Sequence, residues 1–367
     1  SFVRQTSNNT LHVNFGQDDT FAGNETAAGN ADDNGNGKFQ YEPPSGFLAL
    51  CSDNLADLGI SPAQDTQADD HFNTFLYTGT NATNRNIATN TFTPDWVWLK
   101  SRSQADNHVL IDSSRESSGT YPNLHANTTD AEASDSHPKI ITNGIQVSEG
   151  LYDNNNVNFV VWNWKANGGT TTTNDASSTS VGTIDSVYQA NTDAGFSIVT
   201  YTGTGSNGTI AHGLGAVPKM MIAKRRDSSS HWVVYHQDLT DASYWLALNL
   251  TNAQDVEATH WNSTAPTSTL INLGSNTNTN GSSATYVIYA FTDVEGYSKF
   301  GKYIGNNSTD GPFVYTGFKP AFLMLKRSSS TGSWQLLDNK RNTFNSTDIY
   351  LFTPGNGSEV DGSGLSP

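Results

Sequence analysis

The stretch Pro94-Asp95-Trp96-Val97-Trp98-Leu99-Lys100 decides the fold of this 367-residue chain, because its pattern occurs three times. A proline, an apolar run and a lysine six residues after the proline recur at 218–224 and at 320–326. Short apolar runs between polar or turn-forming residues predict strands buried in a sandwich. The repeat therefore predicts three equivalent strands, one in each copy.

Other positions recur around this strand. Twelve residues after the lysine, and again three residues later, the three copies carry Asp112 and Arg115, His236 and Leu239, and Asp338 and Arg341. An aromatic-Thr-Gly element precedes each proline, at 77–79, 201–203 and 315–317. An aromatic strand closes copy one at Phe159–Trp164 and copy two at Tyr286–Phe291, and copy three stops before its counterpart. We expect the pairs Trp98 and Ile222, and Trp162 and Tyr289, to occupy equivalent buried positions.

The predicted fold class is all-β, with tandem β-sandwich modules of jelly-roll or lectin-like type. The predicted domains are 1–70, part of a sandwich; 71–190, a first repeat module with a Thr/Ser/Gly-rich linker at 168–183; 191–299, a second repeat module; and 300–367, a third and incomplete one. Proline spacings of 124 (218 − 94) and 102 (320 − 218) residues suit small single-core modules. No helix of ordinary length is predicted, and 53–58 form one short turn at most.

The composition limits the partners. Lys and Arg total 19 against 35 Asp and Glu, a net charge of −16, while Asn, Ser and Thr number 39, 39 and 43. So acidic a chain argues against nucleic acid and anionic membranes as partners. No apolar run reaches the roughly 18 residues of a membrane span, so we expect no membrane insertion. Cys51 is the single cysteine, which excludes an intrachain disulfide.

The N-terminal residues carry a first resemblance to a known family. They read Val13-Asn14-Phe15-Gly16-Gln17, then Phe39-Gln40-Tyr41-Glu42-Pro43-Pro44-Ser45-Gly46-Phe47-Leu48-Ala49-Leu50-Cys51, then Asn54-Leu55. In order and spacing, this resembles the C-terminal end of SPRY-type β-sandwich domains of bacteriophage tail and virion proteins. The resemblance implies that 1–70 are the last part of such a sandwich, without its earlier strands.

The repeats carry a second resemblance. Residues 296–306, GYSKFGKYIGN, lead into residues 311–320, GPFVYTGFKP. This resembles a tandem module of unknown function in tail proteins of marine bacteriophages. The resemblance implies a structural or adhesive role in a virion and brings no catalytic residues. It also implies a closing aromatic strand in every module, from which the third copy departs.

The recurring charge pairs are the first candidate site. Asp112 with Arg115, and Asp338 with Arg341, could bind a charged ligand or could form a structural ion pair within each module. A pair repeated in separate modules suits architecture better than a single active site, so we favour the structural interpretation. His236 and Leu239 replace the pair in copy two, which weakens a shared catalytic role further.

A calcium loop is the second candidate. Asp32, Asn34 and Asn36, followed by Gly37, match the first half of a D-x-N-x-N-G loop. The bidentate Glu expected eleven residues after Asp32 is replaced by Pro43, so a hairpin turn is the favoured interpretation and no metal or cofactor is predicted. The adjacent carboxylates at 18–19, 32–33 and 69–70 lie in polar stretches, and we interpret them as loop residues rather than as a hydrolase pair.

Sugar binding is the third candidate. Trp96 and Trp98, and likewise Trp162 and Trp164, are spaced by two on strands, and the face that such a pair shares usually belongs to a core. Trp261 lies outside any clear strand, so it is the tryptophan we expect to be least core-like and the one candidate for stacking on a glycan.

The predicted function is non-enzymatic: a structural or adhesive part of a phage virion appendage, a tail fibre, with host surface glycan as a candidate ligand. The alternatives are a glycan-binding lectin-like module and a capsid-decorating protein. Tandem modules would form a rod, and rod-like virion parts associate symmetrically, so a homotrimer contacting other virion proteins is expected. We also expect the native polypeptide to extend beyond both ends, or neighbouring copies to supply missing strands.

Overall fold

The computed structural model describes residues 2–5, 11–54, 59–60, 65–308, 311–343 and 348–362. The chain divides into two compact units, 1–58 and 59–367. Residues 59–70, which we predicted with the first domain, therefore belong with the second unit. The predicted all-β class is confirmed, because antiparallel strands build almost all of the regular structure.

The first unit holds one pair of strands. Strand β1 (Phe2–Gln5) pairs antiparallel with β2 (Leu11–Asn14), and a single bridge joins Asn30 to Phe39. A short 3-10 helix spans Ser52–Asn54. It overlaps the start of the turn predicted at 53–58, whose residues 55–58, including Leu55 of the SPRY resemblance, lie outside the described residues.

The second unit begins with a 3-10 helix at Ala68–Asp70 and the sheet of the first repeat. The strands are β3 (Phe72–Thr78), β4 (Arg85–Ala88), β5 (Trp96–Ser101), β6 (Val109–Asp112), β7 (Leu124–His125), β8 (Lys139–Ile141), β9 (Gly144–Val147) and β10 (Asn158–Trp164). The main sheet has the order β3-β10-β5-β6-β7, and β4-β9-β8 form a small outer sheet. Strand β5 is buried on both faces, as its uninterrupted apolar run predicted.

The second repeat is built in the same way. Its elements are β11 (Thr172–Asn174), α1 (Ala176–Thr179), β12 (Ser186–Asn191), β13 (Phe196–Thr202), β14 (Gly208–Ala211), β15 (Met220–Arg225), β16 (Val233–His236), β17 (Tyr244–Ala247), β18 (Asp255–Val256), β19 (Leu270–Leu273), α2 (Thr277–Asn280) and β20 (Thr285–Phe291). The main sheet has the order β11-β12-β13-β20-β15-β16-β17-β18, and β14-β19 form the outer layer.

The structure corrects the boundary predicted at residue 190. Strands β11 and β12 belong to the second sheet, although we assigned them to the first module and its linker. Strand β12 pairs with β13 through a hairpin whose turn contains Gly195 at φ 65°. Because the two arms of a hairpin form one ladder, a boundary at 190 would cut through a paired strand.

The third repeat has a smaller sheet. Its strands are β21 (Phe322–Leu325), β22 (Gln335–Asp338), β23 (Ile349–Phe352) and β24 (Val360–Asp361), in that order across the sheet. Strand β21 is therefore an edge strand among the described residues. In the other two repeats the equivalent strand lies inside the sheet, beside β10 or β20.

The predicted equivalence of the first two repeats is confirmed. Trp162 of β10 lies opposite Trp98 of β5, and Tyr289 of β20 lies opposite Ile222 of β15. The closing strand pairs on its far side with β3 in repeat one and with β13 in repeat two. The order of these central strands is the same in both copies.

The three sheets share one inner core, which corrects the expectation of a rod. Buried side chains of all three repeats meet there: Trp96, Trp98 and Trp162 of the first, Ile222, Trp232 and Tyr289 of the second, and Trp334, Leu336 and Leu351 of the third. The predicted core location of Trp96, Trp98, Trp162 and Trp164 is thus confirmed. Burying three apolar sheet faces against each other removes more apolar surface from water than end-to-end stacking would.

The first two repeats also have an outer core each. In the first, the second face of β5 packs with Ile145 and Val147 of the small outer sheet. In the second, the second face of β15 packs with Ile271 and Leu273 of β19. Each of these repeats is therefore a two-layer sandwich whose inner face joins the common core.

Candidate functional site

The two recurring charge pairs are buried ion pairs, as we favoured. Arg115 Nε lies 2.6 Å from Asp112 Oδ2, and Arg341 Nε lies 2.6 Å from Asp338 Oδ2. All four side chains are inaccessible to solvent. In each pair the carboxylate also accepts the backbone N–H of the arginine. Burial lowers the pKa of Arg115, whereas the negative charge of Asp112 raises it, and the net shift of the pKa is upward.

The closing strands connect these pairs to neighbouring repeats. Tyr289 of the second repeat donates its hydroxyl to Asp112 Oδ2 at 2.7 Å. Trp162 of the first repeat, at the equivalent position, donates its indole N–H to Asp338 Oδ2 at 3.1 Å. Each buried carboxylate thus joins its own arginine to an aromatic donor of another repeat, so the pair stabilises a junction rather than facing a ligand.

The three residues that stand fourteen positions after the repeat prolines each make a hydrogen bond to a neighbouring repeat. Together these bonds link the three repeats in a ring. Trp232 donates its indole N–H to the carbonyl of His125 at 2.8 Å, and Trp334 donates to that of Ala247 at 2.8 Å. His108 holds the third position, with Nε2 3.0 Å from the carbonyl of Phe352. Repeat two therefore contacts repeat one, repeat three contacts repeat two, and repeat one contacts repeat three.

The hydrogen bond that His108 accepts at Nδ1 determines its tautomer. Trp98 donates its indole N–H to His108 Nδ1 at 3.0 Å, which leaves the ring proton on Nε2, facing Phe352. The imidazole is wholly buried. Burial, followed by the positive charge of Lys100, lowers the pKa of His108 to about 3, so the ring is neutral at physiological pH.

A second series of contacts uses the main chain. The N–H of Glu132 donates to the carbonyl of Arg226, that of Gln254 to Ser328, and that of Glu359 to Arg102, at 2.8, 2.9 and 2.8 Å. The three acceptors all stand eight residues after a repeat proline. The equivalent of Arg102 and Arg226 in copy three is therefore Ser328 rather than Arg327.

Two of these three contacts carry an ion pair as well. Arg226 binds both carboxylate oxygens of Glu132 at 2.9 Å each, and Arg102 binds both of Glu359 at 2.8 and 2.9 Å. Bidentate pairs of this kind are the strong form of the interaction. The pair of Arg102 with Glu359 joins the third repeat to the first, so it closes the ring.

The three repeat lysines, Lys100, Lys224 and Lys326, are also structural. Lys224 Nζ donates to the carbonyls of Thr129 and Ser230, and Lys326 Nζ donates to those of Thr251 and Arg327. Burial lowers the pKa of each of the three lysines to about 8. Because Thr129 and Thr251 belong to the preceding repeat, Lys224 and Lys326 tie neighbouring repeats together, whereas Lys100 donates to the carbonyls of Ser101 and Gln104 in its own repeat.

The candidate calcium loop, for which we favoured a turn, is held by hydrogen bonds to the carboxylate of Asp32. Asp32 Oδ1 accepts the N–H groups of Asn34 and Asn36, both at 2.9 Å, and Oδ2 accepts the N–H of Ala49 and the Nδ2 of Asn54. Burial raises and these hydrogen bonds lower the pKa of Asp32, with a downward net shift. Protein donors thus take both oxygens that a cation would need. Among the described residues, no group of three or more His, Cys, Asp or Glu is placed to hold a metal ion.

The structure corrects our expectation for Trp261. Its side chain is 1% exposed and packs in the outer core of the second repeat, 6.2 Å from the ring of Tyr235. The indole face is therefore not available to a sugar. A tryptophan in an irregular segment gave no periodic signal of burial, and its place among the apolar side chains of the outer core became visible only in the folded chain.

We did not predict from the sequence the junction residues that stand fourteen positions after each repeat proline. Trp232 and Trp334 stand at the same distance from their prolines, and this equal spacing was a readable signal. The acceptors were not readable, because His125, Ala247 and Phe352 contribute only their backbone carbonyls.

Together the fold and these junctions define a class of protein: an all-β unit in which three repeats close around one core through buried polar contacts. The chain belongs to the DUF7483 family, a domain of unknown function, whose family model matches residues 67–365. No curated protein and no solved structure matches the chain. Within the described residues, we find no helix with both the length and the apolar character needed to cross a membrane.

Proposed function

We propose that this chain is a non-enzymatic structural and adhesive component of a phage virion appendage, a tail fibre, and that it is located in the virion. One observation carries the proposal: buried ionisable side chains that could perform chemistry are engaged at the junctions between repeats. Asp112 is held by Arg115 and Tyr289, and Lys224 is held by backbone carbonyls. Groups held in this way stabilise a scaffold.

The composition supports the same proposal. The net charge is −16, yet only 15% of residues are charged, and Asn, Ser and Thr together supply 121 residues (39 + 39 + 43). A surface of neutral polar groups remains hydrated without ion pairs, which salt screens over about 10 Å at 0.1 M. Such a surface suits a particle component that must remain soluble at high ionic strength.

Loops on a rigid scaffold are the usual place for recognition. The shared core gives this chain such a scaffold, and host surface glycans are the candidate ligand for its loops. We propose self-association, with three chains favoured, together with contacts to other virion proteins.

The test is immunogold electron microscopy of virus particles from the source, with antibodies raised against the purified chain and pre-immune serum as the control. Gold on a tail appendage is expected. Gold over the capsid surface would favour the alternative of a capsid-decorating protein. Particles without label would overturn the virion proposal, and a glycan-binding assay on the free protein would then test the lectin-like alternative.

A further inference from the structure

In the described part of the third repeat, no strand occupies a position that is filled in the other two repeats. In repeats one and two, the seven-residue strands β10 and β20 lie between the lysine-bearing strand and β3 or β13. Among the described residues, nothing pairs with the corresponding edge of β21. Unpaired N–H and C=O groups on a sheet edge are a template for another strand.

The side chains around this edge are left uncovered on both faces. Phe322 and Met324 are half-buried, whereas the equivalent residues of repeats one and two are buried in the common core. Leu323, on the other face, is 41% exposed, whereas its equivalents Val97 and Met221 are at most 1% exposed. The apolar side chains exposed at the edge of β21 are therefore the ones whose equivalents a closing strand covers in the other repeats.

Among the described residues, the third repeat also leaves exposed the tyrosine that stacks on a closing strand in the other two. Tyr77 stacks on Phe159 of β10 with ring centroids 4.7 Å apart, and Tyr201 stacks on Tyr286 of β20 at 5.1 Å. Phe159 and Tyr286 are both the second residue of their strand. By the same spacing the equivalent tyrosine in the third repeat is Tyr303 rather than Tyr315, because Tyr77, Tyr201 and Tyr303 each stand seventeen residues before a repeat proline, and Tyr303 is 54% exposed.

We propose that the edge of β21 binds one extended polypeptide strand of the same chemistry as β10 and β20, running antiparallel to β21. The register follows from the other repeats. The fifth residue of the strand lies opposite Met324, as Trp162 lies opposite Trp98 and Tyr289 opposite Ile222. The second residue is aromatic and stacks on Tyr303.

The backbone donors follow from the same comparison. Asp95 and Lys219 donate their N–H to the last residue of the closing strand, at 2.8 and 2.7 Å, and Arg102 and Arg226 donate to its first residue, at 2.7 and 2.8 Å. The equivalent donors in the third repeat are the N–H groups of Ala321 and Ser328. The spacing between them admits a strand of seven residues.

The junction that this strand completes also explains the sequence of copy two. Tyr289 and Trp162, each the fifth residue of a closing strand, reach the carboxylates of Asp112 and Asp338. The fifth residue of the bound strand would by the same geometry reach His236, with Leu239 in place of an arginine. The fifth residue would therefore meet no carboxylate at this junction, and an apolar or aromatic side chain fits there.

The test uses the full 367-residue chain and a labelled synthetic peptide with the sequence of Thr285–Phe291, TYVIYAF, between solubilising ends. We expect saturable binding by fluorescence anisotropy and slower amide hydrogen exchange at 321–328. The control peptide carries proline in place of the residue corresponding to Val287, which lies opposite Lys224 and directs its N–H toward that strand, so the substitution removes a ladder hydrogen bond and should abolish binding.

Two protein variants complete the design. Tyr303→Ala should weaken peptide binding roughly three- to tenfold, the usual value of one aromatic pair. Tyr41→Ala, an exposed residue of the first compact unit, should bind like the unmodified chain. Absence of saturable peptide binding at millimolar concentration, or equal affinity for the two peptides, would overturn the proposal.

Discussion

Tyr289 donates its hydroxyl to the carboxylate of Asp112 at 2.7 Å, across 177 residues of sequence. The contact joins the closing strand of the second repeat to the ion pair of the first. Both side chains are inaccessible to solvent, so the hydrogen bond forms in a low-dielectric interior where an unpaired carboxylate is costly.

Loss of this hydroxyl should destabilise the protein measurably. We expect Tyr289→Phe to lower the free energy of unfolding by about 1.5–3 kcal/mol, the usual value for a hydrogen bond to a charged group. Urea unfolding followed by fluorescence measures it. Tyr303→Phe, on a half-exposed tyrosine, is the control and should have no measurable effect. Equal stability of the two variants would contradict a role for this contact.

The ion pair of the third repeat should show strong coupling. Asp338→His alone leaves the guanidinium of Arg341 buried without its partner and should cost about 3–5 kcal/mol. Adding Arg341→Leu reproduces the residues that copy two carries and should recover part of that loss. A double-mutant cycle gives the coupling energy. Additive losses would show that the two side chains act independently.

Acid should destabilise the fold between pH 6.5 and pH 4 through buried neutral histidines. Burial lowers the pKa of His108 to about 3 and of His212 and His260 to about 4, whereas the unfolded chain keeps values near 6.5. The unfolded state therefore binds more protons in this range, and stability is lost as pH falls. Each histidine should contribute about 1.4 kcal/mol per pH unit.

Unfolding free energies at pH 7 and pH 5 measure this effect. His212→Gln should reduce the loss by about 2 kcal/mol over the 1.5 units below pH 6.5, because it removes one proton-binding group from the unfolded chain. A pH dependence unchanged by this substitution would refute the assignment.

The second unit should unfold as one cooperative body, because the three repeats share the inner core. Trp98→Ala, in the first repeat, should lower the stability of all three by about 3–5 kcal/mol. Hydrogen exchange of β6, β16 and β22 reports on the repeats separately. Destabilisation confined to β6 would indicate independent modules in a row.

The turn held by the carboxylate of Asp32 should not depend on metal. We expect EDTA to leave the melting temperature unchanged, since protein donors occupy both carboxylate oxygens. Asp32→Ala should loosen the segment around Ala49, with faster amide exchange there both with and without calcium. A drop of several degrees in EDTA would show that a cation contributes.

Much of the fold was readable from local patterns. The spacing between each proline and its lysine predicted β5, β15 and β21, and the aromatic runs predicted β10 and β20. The recurrence of Asp112 with Arg115 and of Asp338 with Arg341 predicted structural ion pairs. These features were readable because strand burial and repeat equivalence depend on spacing within about ten residues.

The sequence by itself determined the lysine-bearing strand of each repeat, the closing strands of the first two repeats, how these strands correspond, and the positions of the two buried ion pairs. Only the tertiary structure decided that the repeats close around one core, with Glu359 of the third repeat binding Arg102 of the first. The physical reason is that strands such as β5 are apolar on both faces, so their pattern does not show which face meets another repeat. Trp261 illustrates the same limit, because its burial depends on packing against side chains of strands that are distant in sequence, such as Tyr235.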